Sequence, residues 1–241
     1  MQGVLLAGGN GGRLRPLTSD TAKAMVEVAD RPMIDYCLDR LSKADIDEVI
    51  IVVGYLGKQI INHIGDYYDG IPIKYVNQQQ QLGTAHALLK ASDYITDDFV
   101  LMYPDNIYSS DFELCDLIEV FEKAETGATI LINQVSVEIA EKSGVVCRDS
   151  GGDITEVVEK PDNPPSTRAL CGTYIFSLRF LEYCEMITLS NRGEYEITDA
   201  LDILLENEQN IAAMELENWV ININTPEDRD KAEKRLSAYS D

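Results

Sequence analysis

A short apolar run, Val4-Leu5-Leu6-Ala7, empties directly into Gly8-Gly9-Asn10-Gly11-Gly12-Arg13-Leu14-Arg15-Pro16-Leu17-Thr18, and no other stretch restricts the fold as strongly. Four apolar residues without alternation read as a strand covered on both faces, as in the middle of a parallel sheet. Four glycines in the next five positions let the backbone approach a ligand and aim N–H groups at an anion. Arg13, Arg15 and Lys23 add cations within reach. Strand, loop and cations together describe a phosphate cradle. Spacing excludes two common versions of it. A dinucleotide fingerprint starting at Gly9 needs a glycine at position 14, which is Leu14, and opens a helix at once, whereas Pro16 and Thr18-Ser19-Asp20-Thr21 defer one. A P-loop needs Lys-Ser/Thr after its second glycine, and Gly12 is followed by Arg13-Leu14. What remains is an extended glycine-arginine loop lying over a triphosphate.

The rest of the chain alternates strands and helices at first. Apolar runs at 48–53, 71–76 and 99–103 read as buried strands, and helical spacing at 33–43, 57–64 and 83–91 places helices between them. Repeated strand-helix-strand units imply a Rossmann-like, mostly parallel sheet with right-handed crossovers. After about residue 105 the rhythm changes: a helix at 114–124 and a strand at 128–134 precede a hairpin over 144–159 that turns at Ser150-Gly151-Gly152-Asp153. A proline-rich loop at 160–165, a strand at 169–176 and a helix at 197–206 come next, and Thr225-Pro226-Glu227-Asp228 caps a final helix over 226–239. No repeat or linker divides the chain, so residues 1–241 read as one α/β domain with helices flanking a mixed, mostly parallel sheet.

Composition removes several function classes. No stretch reaches the eighteen or so apolar residues of a membrane span, and a core strand begins at once, which leaves no room for a signal peptide. Five scattered cysteines without a Cys-x-x-Cys pair, with only two histidines, argue against zinc, and the odd count argues against a disulfide framework. A cytoplasmic location is the expectation. Asp and Glu number 42 against 20 Lys and Arg, a formal net charge of −22, so nucleic acid and anionic membranes are poor partners. So acidic a surface points to a halophilic source, where salt screens self-repulsion, the other reading being an ordinary acidic protein.

Two further stretches carry chemistry. In Tyr75-Val76-Asn77-Gln78-Gln79-Gln80-Gln81-Leu82-Gly83-Thr84-Ala85-His86-Ala87, a glutamine amide offers a donor and an acceptor that fit the N3–H and O4 edge of uracil or thymine. Gly83 can bring a helix N-terminus against the base, while the other glutamines read mostly as solvated loop. At the end of the fourth parallel strand, Met102-Tyr103-Pro104-Asp105-Asn106 sets a carboxylate beside the crevice of such a sheet. Asp105 is the magnesium ligand this suggests, since that ion takes one or two carboxylates together with phosphate oxygens.

Leu-Ala-Gly-Gly-x-Gly-x-Arg-Leu-x-Pro-Leu-Thr, with Lys23 and Arg31-Pro32-Met33-Ile34 behind it, resembles the signature of the sugar-1-phosphate nucleotidylyltransferases, in particular the uridylyl- and thymidylyltransferases of glucose 1-phosphate. The resemblance continues through Gln78 and the Leu-Gly-Thr-Ala at 82–85, Gly144-Val145-Val146, Glu159-Lys160-Pro161, Cys171-Gly172-Thr173 and Arg192-Gly193-Glu194-Tyr195-Glu196, and so covers nearly the whole chain. It implies the nucleotide-diphospho-sugar transferase fold, with residues 1–105 as the nucleotide half and about 106–225 as the sugar-phosphate half. It implies nucleotide contacts from Leu6, Ala7, Gly8, Gly9, Gly11, Gly12, Gln78, Gly83 and Thr84, and sugar-phosphate contacts from Gly144, Glu159, Lys160, Gly172 and Glu194. Arg13, Lys23 and Lys160 take the catalytic roles: Arg13 grips departing pyrophosphate, Lys23 the triphosphate, Lys160 the incoming phosphate. Magnesium is implied on Asp105 and, through the Trp219-x-x-x-Ile-x-Thr-Pro pattern, on Asn222, where the family has aspartate. Pro104 in place of glycine, Gly12 in place of threonine and Ala22 in place of proline are further departures. His86 falls in the family's Gly-Thr-Ala-His-Ala and reads as structural. The partners implied are an NTP and a sugar 1-phosphate, and a homo-oligomer is compatible with the resemblance. Two other readings stand beside it: a regulatory nucleotide-binding protein, favoured by Pro104 and Asn222, and a cytidylyltransferase of another phosphorylated alcohol, opposed by Gln78 with Gly83 and by Glu159-Lys160. UTP against dTTP, and glucose against galactose or N-acetylglucosamine, stay open.

Overall fold

The computed structural model of the chain describes residues 1–124, 126–207 and 209–238. Strand β1 (Gln2–Ala7) is almost wholly buried, as its unbroken apolar run requires, and lies between two parallel neighbours. After the glycine loop, the two-residue strands β2 (Glu27–Val28) and β3 (Arg31–Pro32) form a small ribbon, and Pro32 leads into helix α1 (Met33–Ser42). β4 (Val49–Val53) pairs with β1, and helix α2 (Gly57–Ile64) returns the chain to the edge hairpin of β5 (Tyr67–Tyr68) and β6 (Ile71–Asn77). Helix α3 (Thr84–Ala91) crosses to β7 (Phe99–Met102) on the other side of β1. The parallel order β7-β1-β4-β6 agrees with the sequence expectation, with boundaries shifted by a residue at most element ends.

The second half continues the same sheet. β8 (Asn106–Tyr108) leads to α4 (Leu114–Ala124), β9 (Ala128–Gln134) and a four-residue helix α5 (Val137–Ala140). The expected hairpin is β10 (Gly144–Arg148) with β11 (Ile154–Glu159), followed by β12 (Arg168–Phe176), which runs antiparallel to β7, β9 and β10. α6 (Phe180–Met186) and α7 (Ile197–Glu206) then cover one face. β13 (Ile211–Glu215) joins β9 in parallel, and β14 (Val220–Asn222) pairs antiparallel with β8. The last helix, α8 (Pro226–Ser237), carries the expected capping box between Thr225 and Asp228. Residue 239, to which the sequence reading extends it, lies outside the described residues.

Two apolar layers sandwich the sheet. Phe176 of β12 stacks on Phe180 at 3.6 Å between centroids and tilts against Phe99 of β7 at 5.7 Å, which fastens the second half to the first. Burying each such side chain contributes about 1.5–3 kcal/mol. A third, smaller core supports the glycine loop. Leu14, Val26, Val28 and Met33 behind that loop pack with Ile107, Ile223 and Ala232, so β8, β14 and α8 form the floor beneath it.

Candidate active site

The carboxyl ends of β1, β6 and β7 open on one cavity of about 400 Å³, the crevice position expected for a parallel sheet. Leu6, Ala7, Gly8 and Gly9 form one wall, Gln78, Gly83 and Thr84 a second, and Tyr103, Pro104 and Asp105 a third. Lys23, Arg13 and Glu194 complete it. An adjoining space of about 350 Å³ is bounded by the loop residues Gly9 to Arg13 with Lys23 and Asn224. Gly11 adopts a left-handed conformation and starts a single 3-10 turn, Gly12–Leu14, which the Thr18 hydroxyl braces by donating to Gly11 O at 2.7 Å. The loop therefore turns over the cavity without opening an α-helix, as Pro16 and the polar residues after it imply.

At the floor, Lys23 Nζ pairs with Asp105 Oδ2 and also donates to Asn224 Oδ1 at 3.1 Å. Asn224 Oδ1 accepts from Arg13 Nη2 at 2.9 Å as well, so one amide joins the two cations of the loop. Asp105 Oδ1 accepts from Asn106 Nδ2 (3.2 Å), and Asn106 Oδ1 from Asn222 Nδ2 (3.0 Å). The ring closes where Asn224 Nδ2 donates to Asn222 Oδ1. Asn224 had no place in the sequence reading. It follows Asn222 by two positions at a strand end, a spacing that returns a side chain to the same face.

Asn222 lies in this ring but outside the walls of both cavities, with both amide atoms bonded to neighbouring asparagines. The donor set beside Lys23 and Arg13 is the Asp105 carboxylate with neutral amide oxygens, and no three carboxylate, histidine or cysteine side chains are arranged to hold a metal ion among the described residues. That set fits magnesium, which takes hard oxygen donors and relies on phosphates and water for the rest.

On the second wall, Gln78 is only 4% exposed. Its Nε2 contacts Gly83 O at 3.3 Å and His86 Nδ1 at 2.9 Å. Its Oε1 faces Gly8: a Cβ built there would sit 2.7 Å from it. Gln79, Gln80 and Gln81 are exposed, and the Gln81 amide donates to Gly8 O at 3.4 Å. Gly83 has φ +114°, and a Cβ at this position would lie 2.2 Å from Tyr195 O, so both the conformation and the space demand glycine.

The residues expected to take the sugar phosphate assemble beside this wall through charge. Glu159 Oε1 pairs with Lys160 Nζ at 2.7 Å and with Arg192 Nη2 at 3.5 Å. Arg192 also reaches Glu194 (3.9 Å) and bonds to Glu196. Glu159 and Lys160 lie outside the cavity walls and are linked to them through Arg192 and Glu194. Lys160 holds φ +44°, a conformation that costs a side-chain-bearing residue about 1–3 kcal/mol. Gly144 leaves room for Glu159, whose Oε2 would be 2.9 Å from a Cβ there. Gly172 sits in a bulge of β12, with φ +73°, where a Cβ would meet Asn106 Nδ2 at 2.4 Å, and its carbonyl accepts from Tyr103 N at 2.9 Å. Its contacts shape the Asp105 turn. Burial, then the Glu159 carboxylate, push the Glu196 carboxyl up to about 7. Arg192 and Glu196 carry no role in the sequence reading, although they flank Glu194 at alternate positions of the same motif.

A family model described as nucleotidyl transferase matches residues 2–221. The chain is 42% identical over 236 residues to the UTP–glucose-1-phosphate uridylyltransferase AglF of Haloferax volcanii, covering 98% of this chain and 96% of that one. It is 36% identical to a glucose-1-phosphate thymidylyltransferase of Streptomyces antibioticus over 91% of its own length and 61% of that enzyme's. The crystal structure of a UDP-glucose pyrophosphorylase complexed with UDP-glucose shares the fold, with a TM-score of 0.90 at 24% identity over 99% of this chain and 98% of that chain.

Proposed function

The chain belongs to the nucleotidyl transferase family, and we propose that it transfers the nucleotidyl group of UTP or dTTP to a sugar 1-phosphate, with glucose 1-phosphate the foremost candidate. The observation that carries this reading is the meeting of Gly8, Gly9, Asn10, Arg13, Lys23, Gln78, Gly83 and Asp105, drawn from three strand ends and the loop after the first, around one cavity. A cradle for a triphosphate, an amide suited to a pyrimidine and a carboxylate for a cation are the parts the reaction needs. The acceptor requires no general base, because its phosphate is already an oxyanion.

In this reading, loop N–H groups with Arg13 and Lys23 hold the triphosphate, and Gln78 with Gly83 reads the base. Lys160, steadied by Glu159, brings the sugar phosphate in line behind the α-phosphorus, which replaces an encounter in solution by a fixed approach. A sugar-phosphate oxygen bonds to the α-phosphorus as the bond to the β-phosphate oxygen breaks, and pyrophosphate leaves with that electron pair. Arg13 stabilises the charge that gathers on it. Asp105, with Asn222 once its carbonyl oxygen gives up the Asn224 amide, would hold magnesium, which offsets negative charge on phosphate oxygens. Five cysteines with no disulfide accord with a reducing cytoplasm as the place of action, and no helix among the described residues is long and apolar enough to cross a membrane. A net charge of −22 supports a salt-adapted protein.

The test is a panel of each NTP against each sugar 1-phosphate, with pyrophosphate release as the readout. UTP or dTTP with glucose 1-phosphate should give the highest kcat/KM. Release with CTP and a non-sugar phosphate alone would contradict the reading.

A further inference from the structure

The base-reading turn and the acceptor loop are fastened together along one seam. Tyr195 N donates to Leu82 O at 2.8 Å and Ala85 N to Tyr195 O at 3.0 Å, so the two segments lie side by side where only Gly83 fits. Ile197 N donates to Thr84 Oγ1 at 3.0 Å, and that hydroxyl donates to Glu196 Oε2 at 3.2 Å. The other oxygen of Glu196 accepts from Arg192 Nη2. Glu196 is 5% exposed, and a carboxylate so withdrawn from water is costly unless bonded through both oxygens.

Arg192 has other carboxylates within reach, and this gives Glu196 its meaning. The same nitrogen lies 3.5 Å from Glu159 Oε1 and 3.9 Å from Glu194 Oε2. Glu159 Oε1 is also the oxygen that Lys160 Nζ holds at 2.7 Å. A guanidinium released from Glu196 would settle on Glu159 and compete with Lys160 for that oxygen. We infer that Glu196 is a positioning residue for the acceptor site: its buried carboxylate, anchored to Thr84 of the base-reading turn, takes the shorter bond to Arg192 and so limits that guanidinium to a long 3.5 Å contact with the Glu159 oxygen that Lys160 holds. This rests on the acceptor role proposed above for Glu159 and Lys160. Glu196 itself meets no substrate in this arrangement. A role confined to packing would have it satisfy only the Thr84 hydroxyl.

The experiment measures kcat, both KM values and the melting temperature for the wild type, Glu196→Gln, Glu196→Asp, Arg192→Gln and the Glu196→Gln/Arg192→Gln double variant. Glutamine keeps the shape and an oxygen for Thr84 but gives up the charge-assisted bond to Arg192. Its KM for glucose 1-phosphate should rise about tenfold or more, the scale of one such bond, while the nucleotide KM stays within about twofold. The aspartate variant should lie between it and the wild type. In the Arg192→Gln background, Glu196→Gln should add little. Equal losses for both substrates that track the melting temperature, an unchanged sugar-phosphate KM, full additivity, or failure of both single Glu196 variants to fold would each overturn the inference. A wild type that turns over beside an unaffected Glu196→Gln would sink the inference alone. A wild type inert toward every sugar 1-phosphate would remove the functional reading and the inference together.

Discussion

Residues 6–24 supply one side of the cavity from a single stretch of chain, whereas the proposed acceptor side, which reaches the cavity walls through Glu194, draws on residues 144, 159–160, 172 and 192–196. The first side is built from backbone: a strand end, a glycine turn, and cations anchored by one amide, Asn224. The second is built from side-chain charge, with Glu159, Glu194 and Glu196 sharing Lys160 and Arg192 among them. A backbone cradle needs little beyond its own conformation to be ready for phosphate. A charge cluster is ready only when each ion is kept on its own partner. The two sides should therefore fail differently when a residue is changed.

Arg13→Ala should show the largest effect. It removes a cation from a cradle that otherwise stands, so fold and melting temperature should persist while kcat falls by about 10²–10³. Retention of more than half the wild-type rate at saturating magnesium would refute the role. Lys160→Ala tests the other side and should raise KM for the sugar phosphate by roughly 10–100-fold, as expected for a lost charged hydrogen bond. Calorimetry should find nucleotide affinity nearly unchanged, and equal losses for both ligands would erase the distinction between the sides. Gly83→Ala strikes the seam where they meet. Its methyl has no room beside Tyr195 and its φ is unfavourable, so stability should fall by about 1–3 kcal/mol and both KM values should rise together. A variant that melts like the wild type would show that the seam is looser than drawn.

The smallest effect concerns pH. Glu196 is raised from 4.5 to about 7, mainly by burial and then by Glu159, with Glu194 adding to the shift and Lys160 opposing it. The folded chain thus binds more protons than the unfolded one between those values, and stability from this group declines as pH rises through about 4.5 to 7. Glu196→Gln should flatten that part of the stability curve. An unchanged slope in chemical-denaturation experiments would mean that Arg192 compensates fully.

The same contrast explains what could be read in advance. The strand-loop unit at 4–23, the helices α2, α4 and α7 and the capping box at Thr225 are local, and their residue types and periods settle them. Gln78 and Asp105 were legible because a parallel sheet sends its strand ends to one edge. By contrast, β13 (Ile-Ala-Ala-Met-Glu) carries no strand alternation and exists because β9 offers it a parallel partner. β14 has three residues and is made by pairing with β8, over a hundred positions earlier. Asn224 gains its position from that distant pairing, and Glu196 gains its burial from Thr84 across the seam. Neither leaves a local pattern, since the forces that place them act between segments remote in sequence.

In the proposed reaction a sugar-phosphate oxygen attacks the α-phosphorus directly. The most direct measurement starts from UTP or dTTP and glucose 1-phosphate whose phosphate oxygens carry ¹⁸O. All label should appear in the NDP-sugar and none in the pyrophosphate, the two products forming in equal molar yield. Label in the pyrophosphate, or nucleoside monophosphate formed while the labelled sugar phosphate stays unconsumed, would contradict it.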